Sequence, residues 1–473
     1  MALQYDAPTT GADFKTAIVG NPDISASTAA AISSLLGLDA AGSSVVLAGW
    51  DGVGAVTAPA GQAVDVLAIK TTGAAGTTTN LVLPEGAADA KVIIIDSESN
   101  VSLTVTEKAA PAAQAALFAV DPTVATELVI DGGNGSDKLT YVGTANVTLD
   151  GGTGDDVLIT GSGSDVVTGG AGNDHIETGA GNDIINTGEG NDVILAGAGR
   201  DVINVAGAST DYTVDVTGSF LNLTGTNNVT IQGGEFVTFT DNHTLAIVET
   251  DAEAAALRLF DGLLGRDADN SGAEFYGNAA QSGASLSSIA DAFLSSAEYK
   301  GAVASDFISE AFNNLLGRAA EDTAVTYWQD QLAAGKSEAD VAALISTSAE
   351  AQAKGQTNAD FISALYETAL GRTADSTDSS YWVGALIGGN SRADVVSSIF
   401  GSTEAAHHAN AEFVDSLYEN ALGRAPGDVD TGKALWVAAL DQGTAQADVA
   451  IGVVGSPEGV EHNTNVVVVH GAV

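Results

Sequence analysis

The sequence predicts a multidomain β plus α chain, with a parallel β-roll or β-solenoid and flanking strands followed by an all-α repeat domain. Two periods carry that prediction. From Gly151 to Asn204 nine residues recur six times without a gap, as GGTGDDVLI, TGSGSDVVT, GGAGNDHIE, TGAGNDIIN, TGEGNDVIL and AGAGRDVIN. Further on, Leu-Gly-Arg returns at Leu264–Arg266, Leu316–Arg318, Leu370–Arg372 and Leu422–Arg424, with spacings of 52, 54 and 52. Repetition at a fixed period marks units that bury an apolar face only by stacking on their neighbours.

The elements follow in chain order. Residues 1–60 are rich in Ala, Gly and Ser, with one helix expected over Ser27–Leu38 that Gly37 helps to end. Residues 61–131 hold the short apolar or alternating runs VDVLAI, TNLVLP, KVIIID, VSLTVT and ELVID, parted by Gly, Pro, Asn and Asp. These read as strands, of a sheet or of solenoid turns, leading into the repeats. AAPAAQAALF, from Ala109 to Phe118, is a short helix or a bulging loop. The solenoid itself is expected over 132–204. GGNGSDKLT at Gly132–Thr140 stands nineteen residues before the uninterrupted run, so YVGTANVTLD reads as one degenerate repeat with a single extra residue. Over 205–250 the strands continue without the aspartate turns, as a cap on the open end. Residues 251–462 form four units of three helices, each with an amphipathic stretch before Leu-Gly-Arg, as in DFISEAFNNLLGR, and an aromatic after it at Tyr276, Trp328, Trp382 and Trp436. SEADVAALISTSAE is typical of the stretch that closes a unit. The tail, 463–473, reads as an export signal or as a terminal strand packed on the helical domain.

Composition narrows the function classes. The chain has 473 residues, enough for more than one core, and 16 Lys and Arg against 61 Asp and Glu, a formal charge of −45. A phosphate backbone would be repelled, so nucleic acid is excluded as a partner. Divalent cations are the natural neutralising ligand. The absence of Cys removes disulfides, thiolate metal sites and cysteine nucleophiles. The first twenty residues lack a basic start, an apolar core and a small-residue cleavage site, and no apolar run is long enough to span a bilayer. The expectation is a protein that is either cytoplasmic or exported by a route that does not read the N-terminus.

The nonapeptide chemistry follows from its geometry. Six residues make a turn and three a strand, whose eighth place is always a branched aliphatic: Leu158, Val167, Ile176, Ile185, Ile194 and Ile203. A coil of two strands and two turns uses eighteen residues, which stacks Asp156 with Asp174, Asp165 with Asp183, Asp174 with Asp192, and Asp183 with Asp201. Calcium takes six to eight hard oxygens at about 2.3–2.6 Å, and carboxylates with turn carbonyls supply that set. His175 falls in the seventh place with no partner histidine one turn away, and reads as an ordinary strand side chain.

The nonapeptide resembles the RTX family of secreted bacterial proteins, whose consensus is Gly-Gly-x-Gly-x-Asp-x-apolar-x. That resemblance implies ligating carbonyls at the second and fourth places of one turn and the first and third of the next. One ion would lie among Gly152, Gly154, Asp156, Gly169, Ala171 and Asp174, and a second among Gly161, Gly163, Asp165, Thr178, Ala180 and Asp183. A third would use Gly170, Gly172, Asp174, Thr187, Glu189 and Asp192, and a fourth Gly179, Gly181, Asp183, Ala196, Ala198 and Asp201. Asp137 with Asp156 would add a fifth. Thr or Ala replaces the first glycine in four copies, which is tolerated where only its carbonyl is used. The resemblance also implies secretion by the type I route, through an uncleaved C-terminal signal of which NTNVVVVHGAV is a candidate. The Leu-Gly-Arg units resemble phycobilisome-linker-like helical repeats, a family of unknown function. In these the glycine ends a helix, and each arginine is expected in a buried structural pairing.

Catalysis is not expected. The six histidines form no His-Glu-x-x-His, and there is no Gly-x-Ser-x-Gly elbow and no Gly-Lys-Ser phosphate loop. His407 and His408 are adjacent and point apart on a helix. DADNSGAEF, Asp267–Phe275, has an EF-hand texture but carries Asn278 at the twelfth place, where that loop needs Glu. The reading is a secreted, calcium-binding structural protein of a Gram-negative cell surface or matrix, S-layer-like, that folds and assembles on calcium. The alternatives are a calcium-dependent adhesin for a glycan and an RTX-associated enzyme.

Overall fold

The computed structural model describes residues 8–469 apart from 22–23, 60–61, 72–73, 85–89, 98, 107–125 and 428–429. The chain divides into a β unit, Met1–Glu249 with Val467–Val473, and a helical unit, Thr250–Val466. Ala109–Phe118 lies outside the described residues.

Two parallel sheets face one another in the β unit. Leu47–Trp50, Val66–Lys70, Val92–Asp96, Leu128–Asp131, Val147–Thr153, Val166–Ala171, Ile184–Glu189 and Val202–Val205 stack into the first. Thr78–Leu81, Asn100–Thr106, Lys138–Val142, Val157–Ile159, His175–Glu177 and Asp192–Leu195 stack into the second. The region before the nonapeptides therefore forms coils of the same solenoid. Register advances by one coil between Val167 and Ile185 in the first sheet and between Leu158 and Ile176 in the second, so the eighth-place residues form two columns, one on each sheet. All six are fully buried in a single core, and each such side chain removed from water contributes about 1.5–3 kcal/mol. The extra residue is absorbed in a strand. Lys138 pairs with Val157, one place beyond the eighteen-residue step, and Tyr141 is buried beside them.

The early strands read as continuous apolar runs because both of their faces are covered. Leu67, Ile69, Ile93 and Ile95 point into the roll, while Val66, Val92, Ile94 and Val129 pack outward against Phe14, Ile18, Ala29 and Ile32. Those partners come from helices Gly11–Val19 and Ala26–Leu35. The second is the expected helix, shifted to start after its Ser25 cap, with Gly37 left-handed (φ +59°) beyond its end. The first was not anticipated, since GADFKTAIV is short and weakly periodic; Thr10 caps it.

After Asn204 parallel stacking gives way to reversal. Val229–Gln232 continues the second sheet and Phe236–Phe239 the first, and each is then closed by antiparallel strands, Phe220–Thr224 with Thr213–Thr217, and Thr244–Val248. The outermost strand, TVDVT, is exposed along its length and carries Thr and Asp, a polar edge that discourages further pairing. The tail also returns here. Val466–Val468 is a strand, Val467 and Val469 join the roll core, and Val469 N donates to Val248 O. The tail's first residues stay with the helical unit, where Asn463 donates to Asp261 and Asn465 to Asp267, but the expected packing of the terminal strand on that unit is corrected, because its valines find their apolar partners in the roll.

In the helical unit four sets of three helices follow one another: Asp251–Leu264, Asn270–Gln281 and Leu286–Ser295; Ala297–Ala311, Asp322–Ala333 and Glu338–Ser346; Asn358–Leu370, Ser376–Ile387 and Arg392–Phe400; Thr403–Leu422, Thr431–Asp441 and Gln446–Val454. The motif glycines Gly265, Gly317, Gly371 and Gly423 sit left-handed at the helix ends. Each motif arginine reaches a glutamate of a Ser-x-Glu helix start, Glu298, Glu350, Glu404 or Glu458, through Nε and Nη2. Each guanidinium also lies over the ring of Phe260, Phe312, Tyr366 or Tyr418. The arginine side chains are 37–41% exposed. The expected burial of these pairings is therefore corrected: aromatic faces cover one side of each guanidinium and solvent reaches the other. The stretch 337–350 is likewise shorter than expected. Its helix stops at Ser346, and Ser348 caps the next helix. In the EF-hand-like loop, Asp269 caps Asn270–Gln281 by accepting from Gly272 N and pairs with Arg266.

Candidate calcium centre

The stacked turns form two rows along the roll. The first holds Gly132–Asp137, Gly151–Asp156, Gly169–Asp174 and Thr187–Asp192. The second holds Thr160–Asp165, Thr178–Asp183 and Ala196–Asp201, and begins on the degenerate turn that puts Val147 in the aspartate place. Every aspartate carboxylate spends one oxygen on the coil before it. Asp156 Oδ1 accepts from Asp137 N, Asp174 Oδ1 from Asp156 N, and Asp192 Oδ1 from Asp174 N. In the second row Asp165 Oδ1 accepts from Val147 N, Asp183 Oδ1 from Asp165 N, and Asp201 Oδ1 from Asp183 N. Asp137 Oδ1 reaches Val101 N.

The second oxygen is the notable one. Oδ2 of Asp137, Asp156, Asp165, Asp174, Asp183, Asp192 and Asp201 is buried and meets no hydrogen-bond partner among the described residues, and none of these side chains is more than 2% exposed. Seven desolvated carboxylate oxygens, four in the first row and three in the second, would cost several kcal/mol each if charged and unneutralised. Burial accordingly pushes Asp192 up to about 6, Asp137, Asp174 and Asp183 to about 7, Asp156 to about 8 and Asp201 to about 9, and it raises Asp165 as well. The neighbouring carboxylates add to this at Asp156, where Asp174 and Asp137 both raise it.

Carbonyls converge on the same places. A Cβ built at Gly151 would run into Asp156 Oδ2 and stand 2.6 Å from Gly169 O; one at Gly169 would meet Asp174 Oδ2 and stand 2.5 Å from Thr187 O. At Gly132 the corresponding neighbours are Gly151 O at 2.7 Å and Asp137 Oδ2 at 3.0 Å. Each cradle brings a carboxylate oxygen and a first-place carbonyl to one place that no side chain fills, and such hard oxygens are what calcium takes. The second- and fourth-place carbonyls face the following turn. A Cβ at Gly170 would strike Gly152 O, and one at Gly172 would strike Gly154 O, which with φ of +107° and +136° is why only glycine stands there.

Several of the other named carbonyls already accept an amide from the adjacent turn: Gly161 O from Ala180 N, Gly179 O from Ala198 N, Ala171 O from Gly154 N and Glu189 O from Gly172 N. Each keeps a second lone pair. Among the described residues no three acidic or imidazole side chains gather as a metal-holding group, so an ion here must draw on backbone oxygens. His175 bonds its strand neighbour Glu177 at 2.8 Å.

Two features escaped the sequence reading. The fifth place forms a polar ladder, in which Asn173 N takes Asp155 Oδ1, Asn191 N takes Asn173 Oδ1 and Asn228 N takes Asn191 Oδ1. This accounts for Asn, Ser and Asp before the regularly spaced aspartate. Glu235 then takes the sixth place of a shortened final turn, where its Oε2 accepts from Asp201 N at 2.7 Å and burial lifts it to about 7. Gln-Gly-Gly-Glu-Phe-Val was the available signal: glycines, an acid and an apolar pair, with the turn three residues short.

Residues 131–167, 142–176 and 168–203 match the family model described as the RTX calcium-binding nonapeptide repeat, in four copies. The chain carries RTX calcium-binding repeats. Such repeats are typical of secreted proteins. Residues 299–355, 345–409 and 406–463 match a domain of unknown function (DUF4214). That match names no phycobilisome-linker kinship and starts after the first Leu-Gly-Arg unit. No curated protein matches the chain. No helix among the described residues is long and apolar enough to cross a membrane.

Proposed function

We propose that the chain is an exported structural protein of a Gram-negative cell surface or extracellular matrix, S-layer-like, whose roll is completed by calcium outside the cell. The two rows of buried, unpartnered Oδ2 atoms carry this reading. Calcium supplies the positive counter-charge that these oxygens lack, and the ligands would be the stacked aspartates with the turn carbonyls named for each pair. Four ions, with a fifth at Asp137 and Asp156, follow from the stacking. Inside a cell, where calcium is scarce, the acidic repeats stay unfolded and can be threaded out; millimolar calcium outside drives folding. The chain is read as a non-enzyme because its sequence carries no His-Glu-x-x-His, no Gly-x-Ser-x-Gly elbow and no Gly-Lys-Ser loop; turnover of an ester, peptide or glycan would overturn that reading. Ordered arrays seen by electron microscopy on adding calcium, and dispersed by chelator, are the expected result. Protein that stays monomeric at millimolar calcium would overturn the lattice role.

One observation favours an adhesin as the second reading. Successive helical repeats expose an aromatic just before the packed one, Phe275 at 68%, Tyr327 at 55% and Tyr381 at 67%. Flat exposed rings suit stacking on sugar faces. Selective retention on a glycan array that is lost in Tyr327→Ala and Tyr381→Ala would support it.

A further inference from the structure

The two rows of turns differ at the first place, and the difference falls on the cradle. In the first row the cradles belong to Gly132, Gly151 and Gly169, which have no side chain to place in them. In the second row the same place belongs to Thr160 and Thr178, both buried. Their hydroxyls do not idle there. Thr160 Oγ1 donates to Thr178 O at 2.8 Å and Thr178 Oγ1 donates to Ala196 O at 2.7 Å. Those two acceptors are the first-place carbonyls that would serve the ions of Asp165 with Asp183 and of Asp183 with Asp201. Thr187 closes the first row past its last carboxylate pair, so it occupies no cradle between two aspartates.

We infer that the two rows are calcium sites of different strength: three in the glycine row fill first, and two in the threonine row fill only at higher calcium. The inference rests on the reading of the turns as calcium sites. In the threonine row an ion must displace a methyl-bearing side chain and break a buried hydroxyl-to-carbonyl hydrogen bond before it can use the carbonyl. In the glycine row the oxygens face one another without such a step. The roll would thus set along one side before the other.

Calcium titration of the full chain by calorimetry tests this, beside the double variant Thr160→Gly, Thr178→Gly, which copies the first-row residue at these places. The wild type should bind in two classes near three to two, with the weaker class at least ten-fold weaker. The double variant should shift the weaker class towards the stronger and leave the stronger unchanged. Asp156→Asn should remove ions from the tight class, and Asp183→Asn from the weak one. A single class in the wild type, or a weak class that is unmoved in the double variant, overturns the ordering. Absence of any calcium binding by the wild type would instead overturn the calcium reading itself.

Discussion

A buried aspartate in a glycine turn is a liability until something answers its charge, and this chain repeats that liability seven times. Because burial lifts Asp137, Asp156, Asp174, Asp183 and Asp201 from 3.8 to between about 7 and about 9, the folded roll holds more protons than the unfolded chain from about pH 4 upward. Folded-state proton excess makes stability fall as pH rises through that window. In calcium-depleted buffer the roll's thermal transition should therefore lie higher at about pH 5 than at about pH 8. Calcium, which needs the charged carboxylates, should reverse that order. Equal transitions in depleted buffer would mean that the carboxylates are not desolvated as placed. The same geometry makes Asp174 worth two ions, since it stacks on Asp156 and under Asp192. Asp174→Asn should lower bound calcium by two and Asp137→Asn by one, as measured by equilibrium dialysis. These aspartates were legible in the sequence because the period places them without reference to the rest of the fold. Glu235 was not, because its turn is three residues short and breaks the period that would have flagged it.

Among the elements, strands were readable wherever periodic alternation or turn glycines bounded them, and least readable where a second layer intervened. VLAIK and VIIID gave no alternation, and only the helices packed outside them explain why. The eighth-place columns make a clear test of the roll. Ile185 is fully buried between Val167 and Ile203, so Ile185→Ala should cost about 2–5 kcal/mol, read by urea unfolding of the roll. In the helical unit the arginine of Leu-Gly-Arg was visible, but its partner was not, because Ser-x-Glu lies some thirty residues on and is composed of common residues. The glycine is the more exacting position. Gly371 holds φ +62° with the His408 ring against the place a Cβ would fill, so Gly371→Ala should cost about 1–3 kcal/mol. Loss of helical signal at lower urea, with the calcium stoichiometry unchanged, is the expected measurement.

Taken whole, the chain joins a roll that carries calcium-binding repeats with a helical unit whose motif arginines are paired internally. The motif arginines are answered by Glu298, Glu350, Glu404 and Glu458, and those carboxyls are held below their usual range by the guanidinium beside each one or, at Glu404, bonded to it with no further demand on a cation. The roll's carboxylates are displaced the other way, upward, and at a net charge of −45 the chain carries no surplus of lysine or arginine to answer them. Calcium should therefore act on one unit and not on the other. Each site filled at a thousand times its dissociation constant adds about 4 kcal/mol to the state that binds, so even two filled sites exceed the stability of many domains. Scanning calorimetry of the full chain should show two transitions: one that moves upward by tens of degrees between chelator and millimolar calcium, and one that stays within a few degrees. Far-ultraviolet circular dichroism should assign the mobile transition to β structure and the fixed one to helix. A single transition that moves as a whole would show that the helical unit shares the roll's dependence, and would remove the basis for treating calcium as a switch on the roll alone.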